Sequence, residues 1–310
     1  MDWKYKQVYE WGADCLKKAG IREAELDARL LLEYVCKTDR NTLFAHSDRE
    51  VSKEEYESYV NHISQREKHI PLQHITGIQE FMGLEFEVNA NVLIPRQDTE
   101  ILVEEVMRHL HDGMRILDMC TGSGCILLSL LYYSNDCAGL GIDVSKAALD
   151  VAMRNAEKLK SVKSGINVDF LQSDLFDKLE NIKLSYKDKP VIGENLENID
   201  DLKFEIIVSN PPYIKSSVIE TLMPEVRDYE PISALDGRED GLYFYREIIK
   251  EAGKYLAGGG KLFFEIGFDQ GADVKNMMEA AGYKQVEIIK DYAGLDRVVY
   301  GSLLTERHGE

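Results

Sequence analysis

From residue 114 onward the chain alternates short apolar runs with longer amphipathic stretches, the pattern of strands joined by helical crossovers in a parallel sheet. Arg115–Met119, Ala138–Ile142, Asn167–Leu171 and Phe204–Ser209 read as the strands. Between them, Cys125–Tyr133 reads as an apolar helix, and a second helix runs from a cap at Ser145 to about Lys160. After Asn210 the pattern predicts a helix over Leu242–Leu256, stopped by Gly258-Gly259-Gly260, a strand over Lys261–Ile266 and a helix over Gln270–Ala281. Gln285–Lys290 and Arg297–Leu303 close the chain as strands.

The N-terminal part has a different rhythm. Trp3–Ala19 reads as a helix, Leu26, Leu30, Leu31 and Val35 recur at helical spacing, and Lys53–His69 is a charged helix ending before Pro71. From Leu72 to Ile94 shorter β-rich pieces take over: Gln73–Thr76, Phe81–Val88 and Val92–Ile94, with Gly77 and Gly83 as breaks. Pro95 ends them, and Asp98 or Thr99 is placed to cap a helix presenting Leu102, Val106 and Leu110 on one face. The expected organisation is a helical domain over 1–71, a β-hairpin linker over 72–95 and an α/β domain over 96–310.

Composition narrows the class. At 44% hydrophobic and 30% charged residues the chain has the makeup of a folded soluble protein. It lacks both an apolar run long enough to span a bilayer and a basic-then-apolar leader, so no membrane is expected and the cytoplasm is the default location. The formal net charge of −18 gives no footprint for a phosphate backbone, which argues against nucleic acid as a direct partner. Five cysteines without a C-x-x-C pair argue against a disulfide framework and a zinc site.

The candidate chemistry lies at the strand ends, where open α/β sheets bind ligands. Asn210-Pro211-Pro212-Tyr213 follows an apolar strand, and two prolines without N–H groups force the chain out of the sheet at Asn210. That leaves the Asn210 side-chain oxygen and the Pro211 carbonyl as stiff acceptors, with an aromatic face at Tyr213, suited to a planar amide or exocyclic amine. Upstream, Cys120-Thr121-Gly122-Ser123-Gly124 permits close approach of a ligand, yet lacks the third glycine of a dinucleotide fingerprint. Asp143 is placed to accept both hydroxyls of a ribose, Asp174 with Leu175 to meet an adenine, and Asp118 to meet an α-amino group. Adenine, ribose and an amino-acid tail without phosphate describe S-adenosylmethionine.

These residues resemble the motifs of class I methyltransferases that act on planar nitrogens. Pro71–Gly77, Leu93–Glu100, Tyr229-Glu230-Pro231, Asp240-Gly241-Leu242, Phe264–Gly267 and Asp296–Val299 narrow the resemblance to the protein-glutamine N5-methyltransferases of the HemK/PrmC type. The resemblance covers nearly the whole chain. It implies a Rossmann-like, mostly parallel sheet with an antiparallel last strand, preceded by a small helical bundle that docks the substrate. It implies methyl transfer from S-adenosylmethionine, leaving S-adenosylhomocysteine and using no metal, to the Gly-Gly-Gln glutamine of peptide chain release factors. Asn210, Pro211, Pro212 and Tyr213 are the catalytic residues so implied. The cofactor residues are Asp118, Cys120, Thr121, Gly122, Ser123, Gly124, Asp143, Asp174, Leu175 and Asn210. The alternatives are a glutamine on a ribosomal protein, from a sister family, and the N6 amine of adenine in nucleic acid.

Four departures stand out. Cys120 occupies a position where the family usually has glycine, which predicts a local turn that a Cβ accepts; Gln97 replaces a frequent proline. Gly237–Asp240 replaces a more glycine-rich run, and the connection from Phe176 to Phe204 is longer and more charged than usual, with a short strand expected at Pro190–Ile192.

Overall fold

The computed structural model describes residues 3–179 and 202–303, and the strand expected at Pro190–Ile192 lies outside the described residues. The chain divides into two compact units: Met1–Ile78 with Leu222–Tyr229, and Gln79–Thr221 with Glu230–Glu310.

The first unit is helical: α1 (Tyr5–Lys18), α2 (Ala24–Cys36), α3 (Arg40–Ala45), α4 (Lys53–Arg66) and α5 (Leu72–Thr76). Ser52 opens α4 with a reciprocal cap, its Oγ accepting from Glu55 N while its own N–H donates to the Glu55 carboxylate. One expectation fails here. Gln73–Thr76 belongs to the short helix α5, closed by Gly77 at φ +76°, because local turn chemistry outweighs the β propensity of Ile75 and Thr76. On α2 the buried stripe is Ala24, Asp27, Ala28, Leu31, Leu32 and Cys36, and Leu26 faces out. The stripe turns because Asp27 is drawn inward by Arg66, whose Nε donates to Asp27 Oδ2 at 2.7 Å and whose Nη2 meets Glu225. Buried charges persist when paired in this way.

β1 (Ile78–Phe81), all but its first residue in the second unit, and β2 (Leu84–Glu87) form a hairpin. Its two turn residues, Met82 and Gly83, both have positive φ, 52° and 68°, the hand that matches strand twist. The hairpin is shorter than the sequence suggested, and Val92–Ile94 forms no strand.

The remaining elements alternate: α6 (Gln97–Met107), β3 (Arg115–Met119), α7 (Cys125–Tyr133), β4 (Ala138–Asp143), α8 (Lys146–Val162), β5 (Asn167–Gln172) and β6 (Phe204–Ser209). They continue as α9 (Tyr243–Ala252), β7 (Leu256–Glu265), α10 (Gly271–Ala280), β8 (Lys284–Lys290) and β9 (Asp296–Ser302). The sheet order is β5-β4-β3-β6-β7-β9-β8, with parallel pairing as far as β7 and antiparallel pairing of β9 with β7 and β8. Alternate strand residues serve two cores. Ile116, Ile206, Val208 and Phe263 pack toward α6, α7 and α8, while Leu117, Ile207, Leu262 and Phe264 pack toward α9 and α10. Among the described residues no helix is long and apolar enough to cross a membrane.

Two boundaries differ from expectation. Arg96, not Asp98 or Thr99, stands at the N-cap of α6. The glycine run does not stop α9, which ends at Ala252; it lies inside β7, where register jumps from Phe204↔Leu256 to Ile206↔Lys261. A Cβ on Gly260 would sit 2.9 Å from the Ala257 carbonyl oxygen, so glycine is what allows this bulge.

Candidate active site

Sheet register assembles the site. Met119 pairs with Ile142 and with Ser209, and Ser209 pairs in turn with Phe264. The residues that follow, Cys120, Asp143, Asn210 and Glu265, therefore stand side by side at the sheet's C-terminal edge. Asp174 joins them from the end of β5, where Ser173 N donates to the Asp143 carbonyl at 3.1 Å.

A cleft opens above this edge. Cys120, Thr121, Gly122, Ser123, Asp143, Asp174, Leu175, Asn210 and Pro212 line it, so most residues singled out from the sequence share one cavity. Asp118, Gly124, Pro211 and Tyr213 are not among the lining residues. Asp118 is fully buried; its Oδ2 accepts the Thr121 hydroxyl at 2.6 Å, and Oδ1 makes no hydrogen bond of normal geometry among the described residues. Burial pushes its pKa up to about 7. Tyr213 is half-buried, with its hydroxyl donating to Glu265 Oε1 at 3.3 Å and its carbonyl accepting Gln270 Nε2 at 3.1 Å. Burial first, then the neighbouring Glu265, raises the Tyr213 pKa, so the phenol stays protonated.

The glycine turn is held from three sides. Thr121 N donates to the Ile142 carbonyl at 2.9 Å, and Gly122 N donates to Asp143 Oδ2 at 2.9 Å. Asn155 on α8, almost wholly buried, donates Nδ2 to the Ser123 carbonyl at 3.0 Å and to the Glu87 carbonyl at 3.1 Å, and accepts Glu87 N at 2.7 Å. Asp143 also accepts Ser145 N at 2.8 Å through Oδ1. Burial raises the Asp143 pKa and these two N–H groups oppose it.

Further lining comes from segments whose residues were not among the candidate catalytic or cofactor-binding residues. Arg96 lines the cleft and donates Nη2 to both oxygens of buried Glu230, at 2.7 Å each. Ile94 N reaches the same carboxylate at 3.4 Å. Burial raises the pKa of Glu230 while Arg96 opposes it. Thr99, 2% exposed, lines the cleft and accepts Asn210 Nδ2 at 3.4 Å. The charged side chains of the lining are thus Asp143, Asp174 and an Arg96 already occupied by Glu230, with no lysine among them. Such a surface favours a cation over a phosphate. Among the described residues no cluster of His, Cys, Asp and Glu could hold a metal ion.

Known protein families match both parts of the chain. Residues 7–77 match the PrmC N-terminal domain family and residues 110–264 a methyltransferase domain family. A release factor glutamine methyltransferase from Geobacter sulfurreducens (strain ATCC 51573 / DSM 12127 / PCA) is 37% identical over 301 residues, spanning 97% of each chain. The chain belongs to the release factor glutamine methyltransferase family. Another member, from Clostridium acetobutylicum, is 42% identical over 275 residues, 88% of this chain and 89% of its own. A solved structure of a protein-(glutamine-N5) methyltransferase (release factor-specific) from Alicyclobacillus acidocaldarius is 27% identical, with a TM-score of 0.39 over 71% of this chain and all of that one. The second unit is accordingly a class I methyltransferase domain, with the antiparallel end strands of that fold.

One expectation about this family member is corrected. Cys120 does not reshape its turn to suit a Cβ; its φ is +64°, the left-handed region where glycine is at ease. The backbone path is dictated by the hydrogen bond from Thr121 to Ile142 and by the exit from β3, and the cysteine bears the strain. Burial and then Asp143 raise the pKa of its thiol, so it is no nucleophile at neutral pH. A left-handed non-glycine residue costs about 1–2 kcal/mol, and glycine's extra chain entropy returns about 0.5–1 kcal/mol of that. Cys120→Gly should therefore gain roughly 0.5 kcal/mol in urea unfolding, whereas Cys120→Ala, which keeps the strain and loses the sulfur contacts, should lose stability. A destabilised glycine variant would show that packing outweighs backbone strain.

Proposed function

We propose that the protein transfers the methyl group of S-adenosylmethionine to the side-chain amide nitrogen, N5, of the glutamine in the Gly-Gly-Gln motif of peptide chain release factors. The observation that carries this reading is the position of Asn210, a rigid strand-end acceptor opening on the same cleft as Asp143 and the glycine turn, in a chain of this family. The relatives at 37–42% identity bear the name release factor glutamine methyltransferase, which supports this substrate over a ribosomal protein or adenine.

The residues fit S-adenosylmethionine. A Cβ on Gly122 would meet nothing within 4 Å, so the turn leaves room for a ligand on its open side. Asp143 has lone pairs left beyond those taken by Gly122 and Ser145, and they accept the ribose hydroxyls. Asp174 and Leu175 face the adenine. Asp118 acts from behind, holding the Thr121 hydroxyl and supplying negative charge toward the α-ammonium group; a nearby cation favours its ionised form. The cofactor supplies a methyl group on a cationic sulfur that leaves as the neutral thioether of S-adenosylhomocysteine.

An amide nitrogen is a weak nucleophile because its lone pair is shared with the carbonyl. Asn210 Oδ1 and the Pro211 carbonyl accept hydrogen bonds from its two N–H groups and aim the nitrogen at the methyl carbon; the methylated nitrogen then gives up one of these hydrogens as a proton to solvent. Pro212 on the cleft wall, with Tyr213 behind it, supplies the apolar face beside the amide plane. Orientation of this kind contributes up to about 7–11 kcal/mol in favourable cases. The helical unit, Met1–Ile78 with Leu222–Tyr229, is read as the docking domain for the protein substrate.

The test is transfer of labelled methyl from S-adenosylmethionine to a purified release factor, beside a variant in which the Gly-Gly-Gln glutamine is replaced. Label on the first alone is expected. Equal labelling of both would place the methyl elsewhere, and no labelling of either would return ribosomal protein and nucleic acid to consideration.

A further inference from the structure

We propose that Gln270 is the positioning residue of the catalytic turn: it pins the far end of Asn210-Pro211-Pro212-Tyr213 and so aims the Pro211 carbonyl at the substrate amide. This rests on the reading of that carbonyl as an acceptor for the amide. Among the described residues the Pro211 carbonyl receives no hydrogen bond, and the prolines at 211 and 212 have no N–H to give. Its direction is therefore set through the chain, by whatever holds the two ends of the turn.

The near end is Ser209, whose Oγ donates to the Met119 carbonyl at 2.7 Å and whose backbone pairs with Met119 and Phe264. The far end is the peptide plane between Tyr213 and Ile214. Its carbonyl accepts Gln270 Nε2 at 3.1 Å, and its N–H donates to the Leu235 carbonyl at 3.0 Å. Between the two ends φ is fixed at both prolines, and Asn210 and Pro211 are confined by the proline that follows each. Few torsions remain, so a shift of the Tyr213 carbonyl is passed back to Pro211.

Gln270 is 5% exposed and its amide stands one way only. Oε1 accepts Gly267 N at 2.9 Å, a group that can only donate, which leaves Nε2 for the carbonyls of Tyr213 and, at 3.2 Å, Gly241. The loop at Gly241 comes this close because it lacks a side chain; a Cβ there would lie 2.8 Å from Nε2. Gln270 also occupies the N-cap of α10, yet makes no side-chain bond to that helix. Shorter polar residues cap better, and this longer one reaches another element instead.

Gln270→Glu keeps the shape and replaces the donor with an oxygen. Ionised, that oxygen repels two carbonyls; protonated, it donates to Tyr213 again. Burial raises such a carboxyl above its ordinary value of about 4.3. The charged groups around it are Glu265, Asp269, Asp296 and Arg297, three acids to one base, which raise it further. Tyr213 and Tyr245 stay protonated, and Glu265, raised by burial to about 7, is present in wild type as well, so the variant is read as a ratio to wild type at each pH.

At about pH 8.5 the kcat of Q270E for release-factor methylation should be roughly 10- to 100-fold below wild type, the effect of about 1 Å of misplacement at the reacting groups. KM for the release factor and Kd for S-adenosylmethionine should stay within about threefold. At about pH 6 the deficit should shrink by roughly fivefold or more, as the carboxyl takes up its proton and regains the donor. Gln270→Met is the second variant: it loses the donor without titrating, so its deficit should be the same at both pH values. Thermal unfolding at each pH fixes a temperature at which every variant is folded.

Wild-type kcat in either variant, or a Q270E deficit unchanged between the two pH values, overturns the role. So does a kcat loss that follows weakened cofactor binding. Should the wild type itself transfer nothing to the glutamine, the functional reading falls and this role with it; normal turnover of Q270M beside an active wild type overturns this role alone.

Discussion

Replacing Asn210 with alanine is expected to leave S-adenosylmethionine binding near normal while cutting turnover by roughly two orders of magnitude or more. The asymmetry follows from the layout. The glycine turn and Asp143 are held by β3, β4 and Asn155, through hydrogen bonds that do not involve Asn210. What Asn210 alone offers is the acceptor at the point where β6 leaves the sheet, and an orienting contact in a water-poor site is worth about 3 kcal/mol. Binding titrations with S-adenosylmethionine and single-turnover methylation of a release factor separate the two effects. Undiminished turnover would remove Asn210 from the reaction.

Asp143→Ala should do the reverse, raising Kd for S-adenosylmethionine by roughly 10- to 100-fold, the loss of a charge-assisted contact to the ribose. The alanine also releases Gly122 N and Ser145 N, which the carboxylate now holds at 2.9 and 2.8 Å. Asp143→Asn is therefore the companion variant: it keeps an acceptor for one of these groups and loses the charge. Affinity should fall in the order wild type, asparagine, alanine. Unaltered cofactor affinity in the alanine variant would rule out the ribose assignment.

Much of this site was legible because strand ends carry their own punctuation. Apolar runs ending in Asp143 and just before Asn210 place two polar groups at one sheet edge whatever the details of the loops, and Gly122-Ser123-Gly124 marks the close approach. The walls were less legible. Thr99 meets Asn210 from α6, and nothing along the chain says that residues so far apart in sequence meet. Arg96 and Glu230 pair across a similar gap. Depth is a property of packing, and neither Tyr213 nor the fully buried Asp118 is part of the cleft lining. One error of assignment has a local cause: Gly258–Gly260 serve a bulge where a helix stop looks the same in sequence.

The helical unit is discontinuous: Leu222–Tyr229 belongs to it although the chain leaves for the methyltransferase domain at Gln79. On a ribosome adding about 5–20 residues per second, the last piece of that unit emerges roughly ten to thirty seconds after the first. Through that interval Arg66 has Asp27 but not Glu225, and the Lys68 carbonyl still awaits the Tyr229 hydroxyl. Synthesis of the first unit is thus completed from within the second, and a stop of translation anywhere between leaves a helical bundle lacking its final segment.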